Sequence, residues 1–153
     1  LASALPGPRN APLRSLLSQA CPGARSLLET IARHDLEQAG YRPVAAVMVD
    51  GVGEVDLVPS RMPQAIVPGP AEGTHVLTAA AYPALLIETA GYTYHSSRPD
   101  WHSDHLRDQA ALARGHTPLR LTSDQVLDRE TVRIVSSVAR RLGIHPDVTP
   151  GDF

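Results

Sequence analysis

The apolar positions along the chain switch between two periods. Leu27, Leu28, Ile31, Ala32, Leu36 and Ala39 recur at the spacing of one helix face. Ser26 and Glu29 stand three apart in the form of a capping box, and Gly40 suits the residue just past a helix end. This predicts a helix over 26–39. Val44 to Val49 then reads as a strand, and Asp50-Gly51 as a hairpin turn. Val52 to Val58 returns as a second strand, with Glu54 and Asp56 on one face and Val55 and Leu57 on the other. Leu85-Leu86-Ile87 is an apolar run that reads as a buried central strand, and it ends in a carboxylate, Glu88.

Less regular stretches surround these elements. Residues 1–12 are rich in Pro, Gly and Asn and read as a loose arm, with a short helix over Leu13–Ala20 stopped by Pro22-Gly23. Between 59 and 83 the prolines leave two readings. Gln64–Val67 and His75–Ala80 form strands or edge elements, or the segment is an irregular insertion. Beyond Gly91, Asp100 or Ser103 opens a helix through Leu106, Ala110, Leu112 and Ala113 that ends at Gly115. Pro118–Leu121 follows as a strand, and Thr122-Ser123-Asp124 as a turn. Asp128 or Thr131 opens a last helix through Val132, Ile134, Val135, Val138 and Leu142, stopped by Gly143. The expected fold is a small mixed α/β domain with helices on either side of a sheet. We place an N-terminal arm at 1–23, the folded domain at 24–145 with an insertion near 62–82, and a tail at 146–153.

Composition narrows the function classes. The 153 residues are 42% hydrophobic, enough for one modest core. A single cysteine, Cys21, excludes an internal disulfide and a cysteine-rich zinc site, which points to a reducing, cytoplasmic setting. With no base beside it in sequence, Cys21 reads as a small apolar filler. No apolar run reaches membrane-spanning length, so no membrane is expected as a partner. The net charge of −2 is not the footprint of a general nucleic-acid binder. The chain has no lysine, however, and its arginines gather toward the C-terminal third, where they suit phosphate forks or simply a solvated helix face. The first residue is Leu1, so an upstream N-terminal domain is an expected possibility, as is a homodimer partner.

Candidate chemistry centres on three carboxylates. Glu29 lies on the first helix, Asp56 on the second strand and Glu88 at the end of the central strand. A hairpin strand beside the central strand brings Asp56 and Glu88 together. Two carboxylates in one site raise each other's pKa unless a cation sits between them. Mg²⁺, which takes one or two carboxylates plus water and phosphate oxygens, is the natural cation. After the break at Gly91, His95 stands seven residues beyond Glu88. Each residue also has a plainer reading. Glu29 can be a cap, Asp56 a solvated strand residue and His95 a packed histidine. Asp104, Arg107 and Asp108 can be ordinary helix ion pairs. His102 and His105 have i, i+3 spacing, but no third metal ligand accompanies them.

Taken in order, these motifs resemble the PD-(D/E)XK nuclease superfamily, in the branch of small domains allied to the very-short-patch-repair endonuclease. The matching residues are Ser26-x-x-Glu29, Val55-Asp56, Glu88-Thr-Ala-Gly91, His95, Asp104-x-x-Arg107-Asp108, Gly115, Leu119-Arg120 and a closing helix, across roughly residues 24–143. The resemblance implies a restriction-endonuclease-like mixed β-sheet flanked by helices, with an αβββαβα-type core. It implies a DNA endonuclease that hydrolyses phosphodiester bonds with Mg²⁺ or Mn²⁺. Asp56 and Glu88 would hold the metal, with the Thr89 carbonyl as a further ligand. Glu29 would hold a metal-bound water, and His95 would act as base or touch the scissile phosphate. Arg107 and Arg120 would face nucleic acid. Two departures stand out. Ala90 occupies the place of the superfamily's lysine and of this branch's usual aspartate, and the gap from Asp56 to Glu88 is long. They open an alternative, a non-catalytic nucleic-acid-binding or protein-interaction module of an antitoxin- or repressor-like regulator that keeps the fold.

Overall fold

The computed structural model describes residues 27–60, 65–78, 83–90 and 98–147. His95, the arm at 1–23, the expected helix over Leu13–Ala20 and most of the tail lie outside the described residues. Helix α1 spans Leu27–Gln38 and leads into the hairpin β1 (Pro43–Val49) and β2 (Gly53–Pro59). Two short strands follow, β3 (Ile66–Pro68) and β4 (His75–Leu77), and then β5 (Leu85–Ala90). Helix α2 (Arg98–Ala113) crosses to β6 (Thr117–Thr122). Short helix α3 (Ser123–Leu127), helix α4 (Thr131–Ala139) and a 3₁₀ turn over Arg140–Leu142 close the described chain.

The six strands form one sheet in the order β3-β4-β1-β2-β5-β6. β1, β2 and β5 run antiparallel in series, and β6 lies parallel to β5. A parallel neighbour requires a crossover, and α2 supplies it. Within the expected insertion, β3 and β4 pair antiparallel, and β4 adds itself parallel to β1, so part of that segment widens the sheet. Among the described residues, no helix is long and apolar enough to cross a membrane.

The sheet buries both faces, by different means. On one face, Ile31 and Leu36 of α1, Val126 of α3 and Val135 and Ala139 of α4 pack on Leu57, Leu85, Ile87 and Leu121. The helical spacing seen in α1 and α4 thus becomes a continuous apolar layer. Two carboxylates of α1 are buried there, Glu29 and Asp35, and Arg129 Nη2 lies 2.6 Å from Asp35 Oδ1. Burial raises the Asp35 carboxyl above its usual value, while Arg129 and then His34 pull it back. On the other face, among the described residues, Val47, Val52, Val55, Val58 and Leu86 cluster with Ala110 and Ala111 of α2. Asp104, Arg107 and Asp108 of α2 add ion pairs to the sheet.

Local signals explain most boundaries. Gly115 and Gly143, at φ +81° and +69°, end their helices in the left-handed region that glycine adopts without strain. The hairpin turn holds Gly51 at φ +66°, and the Arg114 guanidinium lies 1.8 Å from where a Cβ would stand. The segment read as a turn at Thr122-Ser123-Asp124 is instead the start of α3. Thr122 caps it, its hydroxyl accepting from Gln125 N–H, while the Gln125 side chain accepts from Thr122 N–H. Thr-x-x-Gln is a capping box, and it was legible in the sequence. Asp128, offered as a helix opener, is the residue that caps the end of α3.

Candidate functional site

Asp56 sits where regular pairing lapses on both sides of β2. Toward β1 the register runs from Pro43↔Pro59 to Val49↔Gly53 but skips Ala46, which lies across from Asp56 with φ +52°. A β-carbon at positive φ is strained, and such strain collects at functional sites. Toward β5, Leu57↔Ile87 is the register pair among the described residues, against six between β1 and β2 and six between β5 and β6. The Asp56 carboxylate makes up the connection. Its Oδ2 accepts from the Thr89 N–H at 2.8 Å and from the Thr89 hydroxyl at 2.9 Å. Asp56 is therefore anchored to β5 rather than turned out to solvent as an isolated strand acid would be.

Glu88, one residue before Thr89, is the electrostatic centre. Its carboxyl is pushed up to about 7, first by burial and then by the charge of Asp56, with Arg107 and Arg120 pulling it down. Arg107 comes from α2 and donates from Nη2 to Glu88 Oε1 at 2.7 Å. The same guanidinium donates from Nε to the Val52 carbonyl at 3.2 Å and from Nη2 to the Glu54 carbonyl. Arg120 is in register with Glu88 on β6 and is held by Asp108 at 3.0 Å and Asp104 at 3.1 Å. Burial works against the Arg120 charge, but the hydrogen bond and charge of Asp108, then Asp104 and Glu88, hold it firmly protonated. Val52, Val55, Leu86 and Ala111 wall these ion pairs with apolar surface, which strengthens each interaction.

The structure thus brings together Asp56, Glu88, Thr89, Arg107 and Arg120. Arg107 and Arg120, expected to face a phosphate, both spend their donors inside the protein. Glu29 is 3% exposed in the first turn of α1, which packs on the sheet face away from α2. Among the described residues, the charges acting on Glu88 are Asp56, Arg107 and Arg120. His102 and His105 are exposed on α2. Sequence reading took Asp104 and Asp108 as helix-face residues and missed that both clamp Arg120 of β6. The signal was there: two acids four apart, ahead of an arginine on the strand that the helix delivers.

No family model matches the chain, and neither a curated protein nor a solved structure does. Among the described residues, no three His, Cys, Asp or Glu side chains converge as a metal cage. Mg²⁺ does not need one, since one or two carboxylates, a carbonyl and water suffice. The donors here fit that ion. They are hard oxygens from Asp56 and Glu88 on adjoining strands, and the raised Glu88 carboxyl shows that two guanidiniums do not fully offset their repulsion and burial.

Proposed function

We propose that this domain is a divalent-metal-dependent phosphodiester hydrolase of the restriction-endonuclease-like kind, acting on DNA. The observation that carries the reading is the coupled pair Asp56 and Glu88, set where the strand ladder is interrupted and joined through Thr89. The strand arrangement supports it. A helix, three antiparallel strands, a crossover helix and a parallel strand are what the αβββαβα core of the resemblance calls for.

Asp56, Glu88 and the Thr89 carbonyl would hold the metal. When bound, Mg²⁺ or Mn²⁺ would polarise the phosphodiester and lower the pKa of an attacking water. The protein's own residues do the positioning. Thr89 fixes one oxygen of Asp56, Oδ2, through two bonds. Arg107 holds Oε1 of Glu88 in place. Val52, Val55 and Leu86 keep the charges in a low-dielectric setting. Glu29 and His95 stay assigned by the resemblance to the metal-bound water and to the proton.

The test is nicking of supercoiled and mismatched duplex DNA with Mg²⁺ or Mn²⁺. Wild type should cut, and Glu88→Ala should lose about 100-fold or more. Equal cutting by both proteins would sink the assignment. One observation favours a second reading: Glu88 already carries a counter-charge in Arg107, and Ala90 offers no lysine. Under that reading the domain binds nucleic acid or protein without cleavage. DNA retention with no nicking in either protein would establish it.

A further inference from the structure

The β2–β5 seam has an unusual construction. Strands that carry a coupled acid pair would ordinarily be fixed by main-chain rungs, yet among the described residues Leu57↔Ile87 is the one register pair here. Side chains bridge the rest. Asp56 reaches β5 at Thr89, and Arg107 lies across the seam from above, on α2. Its guanidinium bonds the carbonyls of Val52, in the hairpin turn, and Glu54, at the start of β2, and the Glu88 carboxylate near the end of β5. Few side chains can do this. A guanidinium presents its donors in a rigid fork and cannot lose its proton, whereas lysine offers a single flexible point of charge.

We propose that Arg107 is the positioning residue of the acid pair, a strap that fixes the separation of Asp56 and Glu88 and holds a permanent positive charge at Glu88. Arg107 would touch neither DNA nor the reacting atoms. In its catalytic sense the proposal rests on the hydrolytic reading above; as a statement about the seam it does not. A guanidinium also cannot serve as a base, so proton abstraction belongs elsewhere in the site.

Arg107→Lys and Arg107→Met test this in the full chain. The first keeps the charge and loses the fork, and the second loses both. Amide exchange in the metal-free protein reads the seam directly, because the Thr89 N–H is held by Asp56. Both variants should speed Thr89 exchange about tenfold or more while the amides of Ile31 and Leu36 on α1 keep their protection. Mn²⁺ titration of Arg107→Lys, at unchanged net charge, should show binding weakened about tenfold. KM for DNA should move less than twofold while kcat falls.

Unchanged Thr89 exchange in both variants would overturn the proposal. So would exchange that rises equally at α1, which would make Arg107 a general structural tie. A raised KM with a shallower salt dependence and an unaltered seam would make it a phosphate contact, and would also overturn it. If wild type binds no Mn²⁺ but the variants still loosen Thr89, the strap stands and the metal-hydrolase reading falls.

Discussion

The two faces of the sheet are held by different forces. On the α1 face, Ile31, Leu36, Leu57, Leu85, Ile87 and Val135 exclude water and interlock as an apolar layer. On the α2 face, among the described residues, Ala110 and Ala111 meet the sheet, and the helix is also held by Arg107 to Glu88 and by Asp104 and Asp108 to Arg120. An apolar layer is indifferent to pH and salt and forgiving of direction. An ionic layer is sensitive to both and holds its members at set distances. The chain thus places bulk stability on one side and geometric control on the other, and the candidate site lies on the controlled side.

Breaking the apolar layer should have the largest effect. Leu36→Ala removes a fully buried side chain and should cost about 2–5 kcal/mol, read by urea unfolding. Exposed Leu106 on α2, changed to Ala, should cost under about 0.5 kcal/mol.

The next effect is a pH dependence centred on the α2 face. Glu88 has its folded pKa raised to about 7 from 4.5, so the folded state takes up a proton that the unfolded chain does not. Its cost is fully present above pH 7 and is relieved as pH falls from 7 toward 4.5. Stability contributed at this position should therefore be higher near pH 5 than near pH 8, by on the order of 2 kcal/mol. In Glu88→Gln this part of the slope should vanish. Asp35, also raised, should add a smaller slope of the same sign on the other face.

Smallest is the salt response. Arg120 and its two aspartates are each about a third exposed, so Arg120→Met should cost about 1 kcal/mol after solvent screening. Raising salt to 1 M should narrow the gap between wild type and that variant while leaving the Leu36→Ala gap unchanged.

The same division explains what could be read from the sequence. The helices over 26–39 and near 131–142 and the hairpin at Asp50-Gly51 were legible because apolar periodicity and turn chemistry are local signals. Glu88 stood out as an acid closing an apolar strand, and Asp56 as its partner across the hairpin. The destinations of Arg107 and Arg120 were not legible. Each could equally face solvent, a phosphate or an acid on another element, and the choice depends on how α2 crosses the sheet. The lapse of pairing at Ala46 was hidden for a different reason, since alanine carries no mark of a positive φ. Helix α3 was missed although Thr122-x-x-Gln125 announced it, because five residues are too few for a hydrophobic period to show.

The close approach of Arg114 to the hairpin turn carries one more consequence. With the guanidinium where a Cβ of residue 51 would stand, any side chain at 51 has to displace the flexible, exposed end of Arg114. A library randomising both should show pairwise epistasis. Asn at 51, which tolerates the left-handed backbone, should be accepted mainly in clones whose residue 114 has been shortened.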